Sequence, residues 1–236
     1  MPVKGATALL ATAGVIAACG LGYELLASAI ASWVLGDAVT QFSVVVGLYL
    51  SALGLGALVS SRIRSSLATH FVLVEIAVAC VGGMLAPALF VTFAEPRLFR
   101  ATLYMGVVLC GMLVGLEVPL LTRVLRSRAD FQTAVARVFA YDHAGSLAGA
   151  LVFSLWLMPR VGPLRAGLLF GIVNATVAFA STYLLRSEIR SPRWLRAGAV
   201  CAAALLAVVY ARSARLIHAV DGDAPRAPSG ANSAAR

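Results

Sequence analysis

Seven long apolar runs, separated by short breaks, constrain this 236-residue chain more than any other feature. They cover residues 6–35, 41–61, 69–94, 98–121, 134–158, 164–185 and 195–211. Crossing the hydrocarbon core of a bilayer takes about 20 apolar residues in a helix. The breaks carry charges and helix breakers: Gly36-Asp37, Arg62-Ile63-Arg64, Glu95-Pro96-Arg97, Arg126-Ser127-Arg128, Pro159-Arg160 and residues 186–193. The rest of the composition agrees. Hydrophobic residues make up 61% of the chain and charged ones 12%, against roughly 45–50% and 25% in soluble proteins. At a mean hydropathy of +0.91, too few polar residues remain to cover a water-facing surface. A soluble globular enzyme, a disordered chain and a coiled coil are excluded. The expected fold is all-α, a polytopic transmembrane bundle of about seven helices over residues 1–216. Residues 217–236, rich in Ala, Ser, Pro and Gly, are expected to form a disordered tail.

The net charge of +9 comes from 19 Lys and Arg against 10 Asp and Glu. In a chain of apolar spans such a surplus belongs to loops that stay cytoplasmic, so no nucleic-acid partner is implied. Lys4 and the basic residues of the 62–64, 123–137 and 186–196 stretches fall on one side of the bilayer. Arg97, Arg100, Arg160 and Arg165 fall on the other. The richer side is cytoplasmic by the positive-inside rule, with the N-terminus there and, after seven crossings, the C-terminus outside. The start, Lys4 followed by an apolar run and Ile16-Ala17-Ala18-Cys19, has the form of a lipoprotein signal. A cleaved signal gives way to polar sequence, whereas residues 20–35 stay apolar. An uncleaved first helix is expected.

Cys19, Cys80, Cys110 and Cys201 sit singly inside apolar runs and read as packing residues, neither a metal site nor a disulfide framework. Gly111 and Gly115, Gly145 and Gly149, and the ladder Ala52, Gly56, Ser60 have spacings that bring helix backbones close together. Residues 20–26 echo 115–121, and 53–58 echo 145–150. Helices one to three and four to six would then be two three-helix repeats of opposite orientation, a transporter-like arrangement. Chance likeness among Gly-, Ala- and Leu-rich helices is the other reading.

The chemistry-bearing residues are acids where lipid disfavours them. Glu24, Glu75, Glu117 and Asp142 lie within spans, and the other acids lie in breaks or tail. A charged acid at a helix centre costs about 2.5–3.5 kcal/mol on insertion scales, so such residues face the bundle interior. No Lys or Arg sits deep in a span to pair with them; Arg123 and Arg137, near span ends, come nearest. The acids are therefore hydrogen-bonded between helices, with Tyr23, Tyr141 and Asn174 as candidate partners, or balanced by a cation from outside. Glu75, near the start of its span, fits the structural role best. Glu24, Glu117 and Asp142, with Tyr23 and Tyr141, are the candidate cation-binding set. His143 reads as a polar packing residue pointing away from Asp142. Pro119 frees a backbone carbonyl near Gly115, which in transporters can meet a cation. No metal centre or cofactor is implied, and neither a dinucleotide fingerprint, a P-loop, an HExxH nor a nucleophile elbow occurs.

Five segments, in order, resemble one family. Cys19-Gly-Leu-Gly-Tyr-Glu-Leu-Leu26 and Leu35-Gly-Asp-Ala-Val-Thr-Gln-Phe-Ser43 resemble the start of the membrane domain of bacterial membrane-bound spermidine synthase-like proteins. Gly47-Leu-Tyr-Leu-Ser-Ala-Leu-Gly-Leu-Gly56, Val114-Gly-Leu-Glu-Val-Pro-Leu-Leu121 and Tyr141-Asp-His-Ala-Gly-Ser-Leu-Ala-Gly-Ala150 continue it. The resemblance implies a multi-pass protein of the bacterial inner membrane, with the lipid bilayer as its first partner. In that family a soluble polyamine aminopropyltransferase domain follows, with a Gly-rich cofactor loop and a catalytic aspartate that have no match here. The chain is thus expected to be non-catalytic alone: anchoring or regulating a separate soluble aminopropyltransferase, or binding or moving a polyamine-like cation. Two alternatives stand beside it: a membrane subunit of an active spermidine synthase, and a purely structural membrane protein.

Overall fold

The computed structural model describes residues 3–126 and 131–222. All of its regular elements are helical: α1 (Val3–Leu35), α2 (Ala38–Ser60), α3 (Leu67–Thr92), α4 (Pro96–Leu125), α5 (Phe131–Val152), a π-helical turn (Phe153–Leu157), α6 (Met158–Leu184) and α7 (Pro192–Gly222). Every apolar run lies largely within a helix, with ends displaced by a few residues. The expected loop positions Arg128 and Asp130 lie outside the described residues. The expected tail lies outside them from residue 223 on, while α7 is described as helix through Gly222.

Among the described residues, six helices are long and apolar enough to cross a membrane. One of these, Gln132–Leu184, is continuous over 53 residues. Straight, it would reach about 80 Å at 1.5 Å per residue, more than twice the hydrocarbon core. It is not straight. Gly162 takes φ 73° and ψ 173°, a conformation open to glycine and costly for other residues. Just before it, Met158 N–H bonds back five residues to the Phe153 carbonyl, which makes the π turn. Pro159 and Pro163 supply no N–H to a regular ladder here. The chain therefore folds back at Gly162, and α5 and α6 pack on α1 in opposite directions.

Contacts between small residues fix the helix directions. Gly14 lies on the Tyr141 backbone and against Gly145, while Gly149 lies on Ala18, so α1 and α5 run parallel. Gly111 lies on Tyr49, Gly115 on Leu53 and Gly56 on Met112, so α2 and α4 run parallel as well. Helices α3 and α6 run antiparallel, with Gly83 on Gly171 and Gly167 on Ala86. Arg165 Nε donates to Ser213 Oγ (3.0 Å) and Arg196 Nε to Thr182 Oγ1 (3.0 Å), holding α7 antiparallel to α6. Close backbone approach at small residues is the packing that helices long and apolar enough to cross a membrane use where lipid offers no hydrophobic drive between them.

Candidate functional site

Helices α1, α2, α4 and α5, with Phe71 of α3, enclose a cavity of about 430 Å³. The small-residue seams create it. Two parallel pairs, α1 with α5 and α2 with α4, are each drawn tight, and the space between the pairs is left unfilled. Most of its wall is apolar, including Ile16, Leu50, Leu53, Val114 and Phe139. Against this wall three acids converge from three helices: Glu24 of α1, Glu117 of α4 and Asp142 of α5. Tyr49 of α2 also lines it and donates its hydroxyl to the Gly20 carbonyl at 2.9 Å, tying α2 to α1. Gly115 and Pro119 line it too, which puts the segment beside the freed carbonyl at the cavity wall.

Glu24 and Glu117 are 7% and 3% exposed, and the Asp142 side chain 28%. Glu117 Oε1 is buried and makes no hydrogen bond among the described residues. No Lys or Arg among the described residues forms an ion pair with Glu24, Glu75, Glu117 or Asp142. Arg123, the cation nearest in sequence to Glu117, is engaged elsewhere. Its guanidinium donates to the carbonyls of Pro119, Ile63 and Ser60 at 3.2, 2.7 and 2.6 Å, closing the C-terminal end of α2.

Of the five candidate residues, the fold brings Glu24, Glu117 and Asp142 together. Tyr23 does not line the cavity. Its ring lies over Gly82 and edge-on to Phe170, and its hydroxyl is buried without a hydrogen bond. Tyr141 is 38% exposed and also lies outside the cavity wall. Asn174 is fully buried with both amide atoms unpartnered, so it serves none of the acids. His143 is not turned from Asp142 as expected: its Nδ1 stands 3.7 Å from Asp142 Oδ2 while donating to the Phe139 carbonyl at 2.8 Å. Its ring is exposed.

Sequence reasoning undervalued two residues. Glu75, fully buried on α3, does not line the cavity, and neither of its carboxyl oxygens makes a hydrogen bond among the described residues. Tyr49 entered only as part of a resembling segment. Among the described residues no cluster of three metal-ligating side chains occurs, and all four cysteines are free.

The chain is similar to bacterial proteins named polyamine aminopropyltransferase. It is 38% identical over 207 residues to one from Leptospira interrogans, covering 88% of this chain and 42% of that protein. It is 44% identical over 227 residues to polyamine aminopropyltransferase 1 of Ralstonia nicotianae (92% and 43%). With polyamine aminopropyltransferase 2 of Streptomyces coelicolor it shares 40% over 243 residues (94% and 43%). The chain thus spans about two fifths of the length of the curated relatives it matches. No family model matches it, and no solved structure does.

Proposed function

We propose that the chain is a multi-pass unit of the bacterial inner membrane related to polyamine aminopropyltransferases. It binds a polyamine-like cation at Glu24, Glu117 and Asp142, and anchors or regulates aminopropyltransferase activity. The observation that carries this reading is the convergence of three acids from separate helices on one apolar-walled cavity with no Lys or Arg partner among the described residues. An ammonium group entering it offsets the cost of a carboxylate there, and an amine with several charges can meet more than one acid.

Seven crossings fit this reading better than six. Alternating crossings make α1 parallel to α5, α2 parallel to α4, and α3 antiparallel to α6, which are the directions the helix contacts have. Exchanging α1 with α4, α2 with α5 and α3 with α6 also turns the α1–α5 pair into α4–α2 and leaves α3–α6 paired. That exchange supports two three-helix repeats of opposite orientation, with the cavity between them.

A thermal-stability series on purified protein tests the reading. Spermidine at 100 times its dissociation constant is expected to stabilise the fold by about 2.7 kcal/mol, beyond any effect of sodium chloride at equal ionic strength. Absence of a shift at millimolar spermidine or putrescine would return the acids to a structural role. The names of the relatives favour a second reading, a membrane subunit of an active synthase. That subunit would make spermidine from putrescine and decarboxylated S-adenosylmethionine only when a soluble aminopropyltransferase chain is added. Product from this chain alone would contradict both.

A further inference from the structure

A second hollow lies apart from the acidic cavity, in the groove between α6 and α7. It measures about 420 Å³ and is lined by Ile172, Thr176 and Phe179 of α6 and by Ala199, Ala204 and Ala207 of α7. The alanines that α7 turns toward α6 are too short to fill the space beside Phe179 and Ile172. Thr176 spends its hydroxyl on the Ile172 carbonyl at 2.8 Å, so it offers the groove no free donor. From Ala199 to Ala207 the groove runs about 12 Å along α7, at about 1.5 Å per residue.

One end of this apolar groove carries fixed positive charge. One turn before Ala199, Arg196 donates its Nε to Thr182 Oγ1 at 3.0 Å, and its guanidinium lies 3.9 Å from the centre of the Tyr183 ring. Tyr183 packs edge-on against Phe179 of the groove wall, with ring centres 5.3 Å apart. Arg196 Nη2 is buried without a hydrogen-bond partner among the described residues. Arg186 and Arg190 of the α6–α7 connection and Arg193 at the start of α7 stand exposed, with Glu188 as the acid among them. Trp194, 82% exposed, lies beside them, and such rings favour the headgroup level of a bilayer. At the far end, beyond Ala207, Tyr210 meets Arg165, whose Nε already donates to Ser213 Oγ.

We propose that the α6–α7 groove binds an anionic phospholipid, its phosphate on the arginines and one acyl chain in the groove. The site shares no lining residue with the acidic cavity and rests on α6 and α7 spanning a bilayer. The wall admits hydrocarbon. The arginines at its mouth favour a headgroup of net negative charge over a zwitterionic one, and their forked N–H groups suit phosphate oxygens. Free phosphate uses the arginines alone and leaves the groove unfilled.

Thermal unfolding of the full chain in neutral-detergent micelles, titrated with phosphatidylglycerol, phosphatidylcholine or inorganic phosphate, tests this. Phosphatidylglycerol should stabilise saturably, and the other two should give no shift. The double variant Arg190→Gln/Arg193→Gln should bind phosphatidylglycerol about thirtyfold more weakly. Arg62→Gln/Arg64→Gln, which removes as much charge away from the groove, should bind as wild type does. Ala204→Leu places a larger side chain in the groove from an exposed position and should also weaken binding. Equal stabilisation by the two lipids, or wild-type affinity in either groove variant, would overturn the proposal. A shift from inorganic phosphate alone would assign the arginines to a free anion and overturn the lipid site. Recovery of the chain from cells in the aqueous fraction without detergent would overturn the membrane reading with it.

Discussion

Glu24 of α1 and Glu117 of α4 line the same cavity from two separate helices, 7% and 3% exposed. This pair joins the helix contacts, which are structural, to the cavity, which is open to chemistry. Gly115, set on Leu53 by the α2–α4 approach, and Glu117, two residues on, both line that cavity.

The seams are expected to be intolerant of a single methyl group. A Cβ at Gly145 would run into the Gly14 carbonyl, and one at Gly56 into the Met112 carbonyl, backbone that has no side chain to yield. Gly145→Ala and Gly56→Ala should each cost about 1–3 kcal/mol. At Gly47 and Gly54 a Cβ meets open space, so alanine there should be neutral or stabilise by up to about 1 kcal/mol. Thermal unfolding in detergent separates the two groups.

Most of the fold was legible in the sequence because bilayer-length apolar runs are a one-dimensional signal, while the site was legible only in part. Glu24, Glu117 and Asp142 stood out by their cost in lipid. Which neighbours accompany them is decided by helical rotation: adjacent residues point about 100° apart. Tyr23, next to Glu24, therefore faces α3 and α6, and Tyr141, next to Asp142, faces away from the wall. Glu75 was discounted by its distance from the span's end. Its full burial depends on how α3 packs against its neighbours, to which no local pattern points.

Arg123 should matter through its carbonyl partners and not through the acids. Arg123→Gln removes donors to Ser60, Ile63 and Pro119, and is expected to destabilise by about 2–3 kcal/mol. Arg123→Lys should recover only part of that, since a point charge cannot fork across two carbonyls. Spermidine affinity should be unchanged in whatever fraction stays folded. Thermal unfolding and ligand binding on the same preparations check both halves.

Sidedness is open to direct labelling. Cysteine at Val39, which is 78% exposed beside the α1–α2 turn, should react with an impermeant maleimide added outside cells. Cysteine at Ser65, in the α2–α3 connection, should react only after the membrane is opened. The basic residues Arg62 and Arg64 beside Ser65 motivate this orientation. The reverse pattern would invert the topology.

Asp37 caps α2, its Oδ1 accepting from Thr40 N–H at 3.2 Å and its Oδ2 from the Thr40 hydroxyl at 2.7 Å. Those two bonds hold its carboxyl below the ordinary aspartate value of 3.8. A lowered folded-state value means the charged cap contributes fully above that ordinary value and is lost as pH falls through the folded one. Asp37→Asn tolerates the same left-handed backbone and does not titrate. The stability difference between wild type and Asp37→Asn should be flat from neutral pH down to the ordinary aspartate range, then fall on further acidification. A difference independent of pH throughout would contradict the capping assignment.

The central claim is that the acids of the cavity bind a polyamine, and equilibrium dialysis of radiolabelled spermidine against purified protein measures it most directly. Wild type and the Asp37→Asn control should show one saturable site of equal affinity, and the Glu24→Gln/Asp142→Asn double variant should bind at least tenfold more weakly while remaining folded. Wild-type protein without saturable binding, or a folded double variant that binds as wild type does, would contradict the account.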